Sequence, residues 1–336
     1  MRAIGWDVGG ANVKAALVDG GTARAVTRPF ALWRERHALG AVLQGIAREL
    51  GSADAMAATM TAEVADCFED RAQGVRFVLD ALESAFPKTP LHVFSSHGRF
   101  IPPHDARRDP AAVGSANWMA TATWFARSMR DAILIDVGTT TTDVIPIVNG
   151  EVVAEGRTDL DRLSNGELVY TGVVRTSCTA LARTVLLRGR RQRVVAERFA
   201  QSGDVHLWLR NLAEADYLGE TPDGRGKSRA EAGARLARVV GADAGALGES
   251  AVTELASQLS ERQVRQVTAA IRQVRARLGE RAPREAVAVG VGAFLGVAAA
   301  ERVGLITRDW ADEVGAEASC AAPAVAVARL LGEDAR

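Results

Sequence analysis

Apolar and polar residues follow one another along the chain in short runs that predict alternating strands and helices. Two stretches share one pattern: an apolar strand ending in Asp, a turn of small residues, and a second apolar strand closing on a Gly turn. They are AIGWDVGGANVKAALVDGG at residues 3–21 and AILIDVGTTTTDVIPIVNG at residues 132–150. Each copy predicts a β-hairpin whose tip offers backbone N–H groups and small hydroxyls to an anion. Two such hairpins facing each other across a cleft would clamp a phosphate chain.

Helical spacing and apolar runs place further elements around the hairpins. We expect strands at residues 27–30, 53–61, 91–95, 168–173 and 286–289, helices at 39–50, 69–86, 115–129 and 179–187, a basic turn at 188–193, a loop at 219–229, a long helix around 252–278 and a helix from about residue 294. This alternation predicts an α/β protein with a largely parallel inner sheet in each half. The length of 336 residues suits two domains from an internal duplication. We place them at 1–130 and 131–336. The first contains phosphate loop 1, at the tip of the hairpin at residues 3–21, and the second contains phosphate loop 2, at the tip of the hairpin at residues 132–150.

Composition excludes several functional classes. The hydrophobic content of 48% and charged content of 24% are typical of a globular protein, and a net charge of zero gives no field that would attract nucleic acid. Cys67, Cys178 and Cys320 form no C-x-x-C pair and predict reduced thiols in the cytoplasm. No apolar run reaches membrane-spanning length, and Met1 leads directly into a strand, so we expect neither a membrane span nor a secretion signal.

A third glycine turn occurs late in the chain, in the stretch AVAVGVGAFLG. Its strand passes through Gly290 and Gly292 onto the beginning of a helix, which gives an anion room for close approach. The order DVGGANVK, DVGTTTTDV, VGVGAFLG resembles the superfamily of acetate and sugar kinases, Hsp70 and actin. That resemblance implies a duplicated two-domain, actin-like (ribonuclease H-like) ATPase fold with a central cleft. The DVGTTTTDV loop is most similar to the hydantoinase and oxoprolinase branch.

A narrower resemblance rests on longer stretches. GWDVGGANVKAA, MTAEVADCFEDRAQGV, SANWMATA, IDVGTTTTDVIPI and TDLDRLSNGELVYTGVVRTS resemble a family linked to tetrahydromethanopterin-dependent one-carbon metabolism. That family includes the methanofuran-biosynthesis synthase. The resemblance implies a transferase that joins an aminomethylfuran-methyl diphosphate to the phenol of a glutamyl-tyramine or tyrosine acceptor and releases diphosphate. It implies a small-molecule diphosphate donor and a phenolic acceptor as ligands. The zero net charge favours no nucleic-acid or membrane partner, and a homo-oligomer stays open.

This chemistry assigns tasks to the hairpin residues. A furfuryl carbon bearing diphosphate ionises readily because the electron-rich ring spreads positive charge, so the enzyme must mainly stabilise the departing anion. We expect Lys14 to neutralise it. The diphosphate-binding set is Gly9, Gly10, Asn12, Lys14, Gly138, Thr139, Thr140, Thr141, Gly290 and Gly292.

Three carboxylates, Asp7, Asp136 and Asp143, would add negative charge to a site that already holds diphosphate. One like-charge pair at 4 Å costs about 4 kcal/mol at an effective dielectric of 20, so the three together require a cation. Magnesium (Mg²⁺) fits because it prefers oxygen ligands. The alternative for each Asp is a structural turn cap.

The phenol must also lose a proton. Glu63, in the loop after a buried strand, is the favoured general base because partial burial would raise its pKa, and Asp66 competes with it. Either could instead cap the helix that follows. Arg175 could hold the acceptor carboxylate through a bidentate fork or make an ordinary surface ion pair. Trp118 and Trp124 could stack on a ring, but core packing is favoured.

Two other functional classes stay open from the sequence. One is a small-molecule kinase or ATPase of the same fold, and the other is a non-catalytic nucleotide-binding module. Ala11 stands where sugar kinases commonly have Thr, and no sugar-binding signature lies between the loops. Both departures weaken the kinase alternative.

Overall fold

The computed structural model describes residues 1–335 and contains two main β-sheets and a small hairpin. The strands are β1 Arg2–Val8, β2 Asn12–Asp19, β3 Thr22–Pro29, β4 Ala55–Met60, β5 Leu91–Phe94, β6 Phe100–Ile101, β7 Ala132–Val137, β8 Thr142–Val148, β9 Glu151–Val152, β10 Leu168–Val169, β11 Thr184–Leu187, β12 Arg190–Arg193, β13 Glu285–Val289 and β14 Ile306–Asp309. The first twelve precede the long helix Glu249–Leu278, and β13 and β14 follow it.

Helices connect and cover these strands. They are α1 Leu32–Glu35, α2 Leu39–Leu50, α3 Arg71–Ala85, α4 Pro103–Arg108, α5 Asn117–Ser128, α6 Asp159–Asn165, α7 Cys178–Leu181, α8 Ser202–Trp208, α9 Arg229–Arg238, α10 Ala244–Leu247, α11 Glu249–Leu278, α12 Ala293–Glu301, α13 Ala311–Val314, α14 Ala316–Cys320 and α15 Ala322–Asp334. Short 3₁₀ turns occupy Arg36–Ala38, Ala62–Val64, Pro110–Ala112 and Gly279–Arg281.

The two main sheets repeat one strand order. Sheet 1 runs β3-β2-β1-β4-β5-β6, and sheet 2 runs β10-β8-β7-β13-β14 with β9 paired to β8. Each sheet therefore begins with a hairpin, β1–β2 or β7–β8, and continues through a strand that arrives after a helix. The pairs β1–β4, β4–β5 and β13–β14 are parallel. The predicted α/β fold with an internal duplication is confirmed.

The two faces of sheet 1 differ in side-chain size. One face carries Ile4, Trp6 and Val8 and packs with α2 and α3 in a continuous apolar core. The opposite face carries small residues, and α15 packs on it against β1, β2 and β4. The approach is so close that a Cβ on Gly5 would lie 1.9 Å from the carbonyl oxygen of Ala324. Asp7 follows Gly5 on this face, so polar side chains begin where the small residues end.

The chain forms two compact units that are not consecutive in sequence. Unit 1 comprises residues 1–134, 145–162 and 310–336, and unit 2 comprises residues 135–144 and 163–309. The structure thus places α15 with sheet 1, although α15 lies within residues 131–336, the range of the predicted second domain. The reason is that α15 packs closely on the small-residue face of sheet 1.

Unit 2 contains a helical core in which α7, α8, α9 and α11 pack together. The helix predicted at 179–187 is wrong beyond Leu181, because residues 184–187 form β11 and pair with β12. Arg188 and Gly189 both have positive φ, at 48° and 75°, which is typical of a two-residue hairpin turn. The run TVLL is rich in strand-forming residues, and this outweighed its helical spacing.

Candidate functional site

The first hairpin ends in a tight turn fixed by backbone hydrogen bonds. The Gly9 N–H donates to the Asn12 carbonyl oxygen at 2.9 Å, and a Cβ on Gly9 would lie 2.8 Å from that oxygen. The carbonyl of Gly10 accepts from the Leu32 N–H at 3.0 Å. The turn itself uses the Gly9 N–H, and the contact of Gly9 with a phosphate stays a prediction.

A polar row crosses sheet 1 beside this turn. Asp7 stands opposite Lys14 on β2 and opposite Thr59 on β4, so the three side chains share one face. The Nζ of Lys14 lies 3.6 Å from Oδ2 of Asp7. Thr59 Oγ1 and Asn12 Oδ1 are buried without a hydrogen-bond partner among the described residues. Loop 1 therefore combines one cation with several buried oxygen atoms.

The second hairpin ends in an equivalent turn. The Gly138 N–H donates to the Thr141 carbonyl at 2.9 Å, so it too is engaged within the turn. The Thr139 carbonyl accepts from the N–H groups of Val174 and Arg175 at 3.1 and 2.8 Å. A Cβ on Gly172 would lie 2.4 Å from the backbone nitrogen of Thr140. The loop thus lies directly on the segment that follows β10.

Side chains around loop 2 are partly accessible. Thr139, Thr140 and Thr141 are half-buried, and Arg175 is exposed beside them. Hydroxyls in this position can donate to an anion, and the predicted contact of the three threonines with diphosphate stays a prediction. The structure thus brings Arg175 next to loop 2, and its role toward an acceptor stays a prediction.

The third glycine turn packs against the end of β7. A Cβ on Gly290 would lie 2.7 Å from Oδ1 of Asp136, and one on Gly292 would lie 2.5 Å from Cγ1 of Val137. The Gly292 N–H donates to the Val137 carbonyl at 2.9 Å. Packing alone therefore requires glycine at both positions, and their contact with a phosphate stays a prediction.

The predicted metal ligands occupy different surroundings. Asp136 and Asp143 are both buried in unit 2, and the gapless alignment of the two hairpins puts Asp143 where Lys14 stands in the first copy. Carboxylates and hydroxyls are oxygen donors of the kind that Mg²⁺ prefers, and the binding of Mg²⁺ by these residues stays a prediction. Asp7 instead has Lys14 as an ion-pair partner. Among residues 1–335 no group of three or more His, Cys, Asp or Glu could hold a metal ion.

Glu63 is a fully buried acid beside loop 1. It lies in the 3₁₀ turn Ala62–Val64 and is 1% exposed, and burial raises the pKa of its carboxyl from 4.5 to about 7. Its Oε1 accepts a 3.0 Å hydrogen bond from Ser115 Oγ, and its Oε2 has no partner within the described part of the chain. The predicted rise in the pKa of Glu63 is confirmed.

The segment that carries Glu63 flanks the first hairpin. The Thr61 N–H donates to the Val8 carbonyl at 3.0 Å, and the Cβ of Ala65 would lie 3.9 Å from a Cβ on Gly10. Asp66 is exposed. Neither acid caps the next helix, because Asp70 does so by accepting from the Gln73 N–H at 2.7 Å. Unit 1 therefore brings loop 1 and Glu63 together.

Comparison with known proteins identifies the family. The hydantoinase/oxoprolinase family matches residues 54–334. The chain belongs to this family.

Individual relatives agree with this membership. The Methanocaldococcus jannaschii (4-{4-[2-(gamma-L-glutamylamino)ethyl]phenoxymethyl}furan-2-yl)methanamine synthase is 34% identical over 329 residues, which cover 98% of this chain and 97% of that protein. A protein of the same name from Methanococcus vannielii is 40% identical over 114 residues, 34% of this chain and 51% of that protein. The resemblances drawn from the sequence are confirmed.

A solved structure shows the same fold. Nucleotide-free acetone carboxylase aligns with a TM-score of 0.55 and 11% identity, covering 98% of this chain and 70% of that chain. At this identity the likeness concerns the fold alone. Within residues 1–335 no helix is both long and apolar enough to span a membrane.

Sequence reasoning missed three residues around Glu63. Ser115 Oγ lies 3.0 Å from Glu63 Oε1 and 3.5 Å from Oδ2 of Asp159, and that carboxylate lies 3.6 Å from Arg71 Nη2. Asp159 belongs to the TDLDRLSNGE stretch that carries the family resemblance. Ser115 and Arg71 also lie in such stretches, SANWMATA and MTAEVADCFEDRAQGV, but nothing in the sequence places the three residues beside one another.

The tryptophans belong to the core. Trp118 is 1% exposed and stacks on the Arg162 guanidinium, whose carbon lies 4.2 Å from the ring centroid. Trp124 packs against Trp310 with ring centroids 5.2 Å apart. The prediction that these rings are structural is confirmed.

A cavity of about 620 Å³ in unit 1 lies away from these residues. Ile4, Ala47, Met56 and Phe86 line it, at the amino ends of β1 and β4. Ligands of parallel α/β sheets bind at the carboxyl ends of the strands, where loop 1 and Glu63 lie. We therefore assign the candidate site to loop 1 and its neighbours rather than to this cavity.

Proposed function

We propose that the protein is a transferase of methanofuran or methylofuran biosynthesis. It would join an aminomethylfuran-methyl diphosphate to the phenol of a glutamyl-tyramine or tyrosine acceptor and release diphosphate. The observation that carries this proposal is the similarity to the Methanocaldococcus jannaschii synthase over 98% of the chain. The shared coverage leaves no large part of that relative without a counterpart here.

The site residues support the proposal chemically. Lys14 would neutralise one phosphate, and the hydroxyls of Thr139, Thr140 and Thr141 would donate to the other, which stabilises the anion as the carbon–oxygen bond breaks. Asp136 and Asp143, with Asp7 as third predicted ligand, would hold Mg²⁺, which neutralises diphosphate charge when bound.

The phenol requires a base, and Glu63 has suitable properties. A carboxyl with a pKa of about 7 is half-ionised near neutral pH and binds a proton more strongly than an ordinary glutamate does. Asp66 is exposed to solvent, whereas Glu63 is buried beside loop 1, so Glu63 is the stronger candidate.

The test measures diphosphate release from the furan diphosphate in the presence of Mg²⁺, with and without a glutamyl-tyramine or tyrosine acceptor. ADP formation from ATP is followed in a parallel assay. Acceptor-dependent diphosphate release without ADP supports the transferase. Acceptor-dependent ADP formation, with the furan diphosphate inert, would instead identify a kinase or ATPase, and nucleotide binding without turnover would identify a non-catalytic module.

A further inference from the structure

Three chain segments meet at the carboxyl end of sheet 1. They are the turn after β1, the turn after β4 that carries Glu63, and residues 114–115, where Gly114 forms a parallel bridge with Met60. Ser115 therefore stands at the same edge of the sheet as loop 1, within unit 1. This edge is where ligands of parallel α/β sheets bind.

Glu63 is enclosed from two sides. A Cβ on Gly74 would lie 2.5 Å from the Glu63 Cα, and a Cβ on Gly114 would lie 3.1 Å from Oε1. With 1% of the residue exposed, the carboxyl has no surface on which a phenol could lie. If Glu63 takes a proton from the substrate, a second group must contact both the Glu63 carboxyl and the surface that the substrate can reach.

Ser115 is such a group. It is half-buried, and its Oγ donates to Glu63 Oε1 at 3.0 Å. Its backbone has φ 51°, a left-handed conformation that is uncommon for serine and that costs conformational energy. Asp159, with a side chain 31% exposed, lies on the outer side of the same hydroxyl.

We propose that Ser115 relays the phenolic proton of the acceptor to Glu63, an inference that rests on the proposed transferase function. The Ser115 Oγ accepts the phenolic proton while its own proton passes to Glu63 Oε1. The phenolate oxygen bonds to the furfuryl carbon, and the bond from that carbon to the diphosphate oxygen breaks with its electron pair on diphosphate. Glu63 returns its proton to water through Ser115 after product release.

The charges around the relay are Arg71 from α3 and Asp159 from α6. Both carboxylates can accept the single Ser115 proton, and the shorter distance favours Glu63, at 3.0 Å against 3.5 Å for Asp159. Arg71 Nη2 lies 3.6 Å from the same Asp159 oxygen and offsets its charge. Asp159 and Arg71 are positioning residues in this scheme, and Ser115 is the catalytic contact.

The test removes the hydroxyl and changes the acidity of the acceptor. Ser115→Ala and Ser115→Gly both delete Oγ, and glycine adopts φ 51° without strain, so one variant keeps the fold even where the other does not. Each is assayed with a normal phenol, whose pKa is about 10, and with a ring-fluorinated phenol that is already ionised at the assay pH. Ser128→Ala, which deletes an exposed hydroxyl at the end of α5, is the matched control.

We expect both variants to lose about 10² to 10⁴-fold in acceptor-dependent diphosphate release with the normal phenol and to regain the wild-type rate with the fluorinated one. Undiminished rates with the normal phenol would overturn the relay, and so would equal losses with both acceptors, which indicate a structural role. If the wild-type protein uses neither acceptor, the proposed function itself fails and the relay with it.

Discussion

The Nζ of Lys14 lies 3.6 Å from Oδ2 of Asp7 across the first hairpin, whereas the second hairpin has Asp143 at the position of Lys14. The two turns close with the same backbone hydrogen bond, from Gly9 to Asn12 and from Gly138 to Thr141. The two turns thus share a backbone hydrogen bond but have side chains of opposite charge at the equivalent positions 14 and 143. The first loop has an ammonium group that can face an anion, although Asp7 offsets its charge, whereas the second has a carboxylate at that position.

Lys14→Ala should therefore reduce acceptor-dependent diphosphate release strongly. Removing one preorganised donor to a developing anion typically costs about 10² to 10³-fold in rate. The deletion also leaves the buried Asp7 carboxylate without its ammonium partner, so binding of the furan diphosphate should weaken as well. Steady-state kinetics with varied donor concentration measures both effects.

Lys88→Ala is the matched control, since it removes a lysine from the turn after α3. A Lys14→Ala variant as active as the wild type would contradict the assignment of loop 1 to the diphosphate.

Glu63→Gln should abolish transfer and stabilise the protein at alkaline pH. The pKa of Glu63 is raised from 4.5 to about 7 by burial, so ionisation opposes folding. The contribution of protonated Glu63 to the free energy of unfolding is fully present below pH 4.5 and is lost as pH rises through 7. The loss amounts to about 3 kcal/mol above that pH, because one pKa unit corresponds to about 1.4 kcal/mol.

Melting temperatures of wild type and Glu63→Gln at pH 5 and pH 8.5 measure this effect. The advantage of the variant should grow with pH, while the exposed Glu317→Gln should show no such trend. A constant difference at both pH values would mean that Glu63 ionises normally.

The sequence predicts the parts of this protein that depend on local pattern. The helix at 39–50 appears as α2 with the same bounds, and both hairpins form, because apolar periodicity and glycine turns act within a few residues. The site around Glu63 could not be found in this way. Ser115 is 52 residues from Glu63, and Asp159 is 44 residues further on. Only the packing of β4 and its neighbours brings them together.

Ambiguous runs account for the errors. Residues 184–187 are apolar and short, and such runs fit a strand or a helix equally well by spacing. The role of α15 depended on a surface, the small-residue face around Gly5, that exists only after three strands have paired. The N–H groups of Gly9 and Gly138 donate to carbonyls within their own turns. Small residues permit this turn geometry, but the sequence alone does not predict which acceptor each N–H uses.

Changes to the charges beside Glu63 should shift the pH profile of transfer in opposite directions. Asp159 raises the pKa of Glu63 and Arg71 lowers it. Since the base must be ionised, the rate falls on the acid side of this pKa. Asp159→Asn should move that acid limb to lower pH, and Arg71→Leu should move it to higher pH.

Asp80→Asn is the control for these shifts, because Asp80 lies on α3 but pairs with Arg107. Profiles of the rate between pH 5 and 9 reveal the shifts. Two variants that move the limb in the same direction would argue against Glu63 as the titrating group.

Gly172→Ala should disturb loop 2 selectively. Its Cβ would lie 2.4 Å from the Thr140 nitrogen, and backbone cannot yield as a flexible side chain does. Overpacking of this kind costs about 1 to 3 kcal/mol, and a shift of about 1 Å at a binding loop can cost about 10²-fold in rate. Gly45→Ala, where a Cβ on α2 meets nothing within 4 Å, should be neutral or stabilising. Equal activity of both variants would show that loop 2 tolerates displacement.

His206 should make unit 2 sensitive to acid. Burial lowers the pKa of this histidine from 6.5 to about 4, and its Nε2 lies 2.8 Å from Gln263 Oε1. Gln263 Nε2 in turn donates to the Gly172 carbonyl at 2.7 Å, directly below loop 2. The neutral imidazole favours the fold above pH 6.5, and this stability is lost as pH falls through 4, by about 3 kcal/mol in total.

His206→Gln stays neutral throughout, so its melting temperature should fall less steeply than that of the wild type between pH 7 and 4. His104→Gln, which changes a histidine with a side chain 67% exposed, should follow the wild-type slope. The hydrogen bonds from His206 through Gln263 end at the Gly172 carbonyl, which lies beside loop 2. Binding of the furan diphosphate should therefore weaken over the same pH range in which unit 2 loses stability. Parallel slopes for wild type and His206→Gln would mean that protonation of His206 does not limit the stability of unit 2.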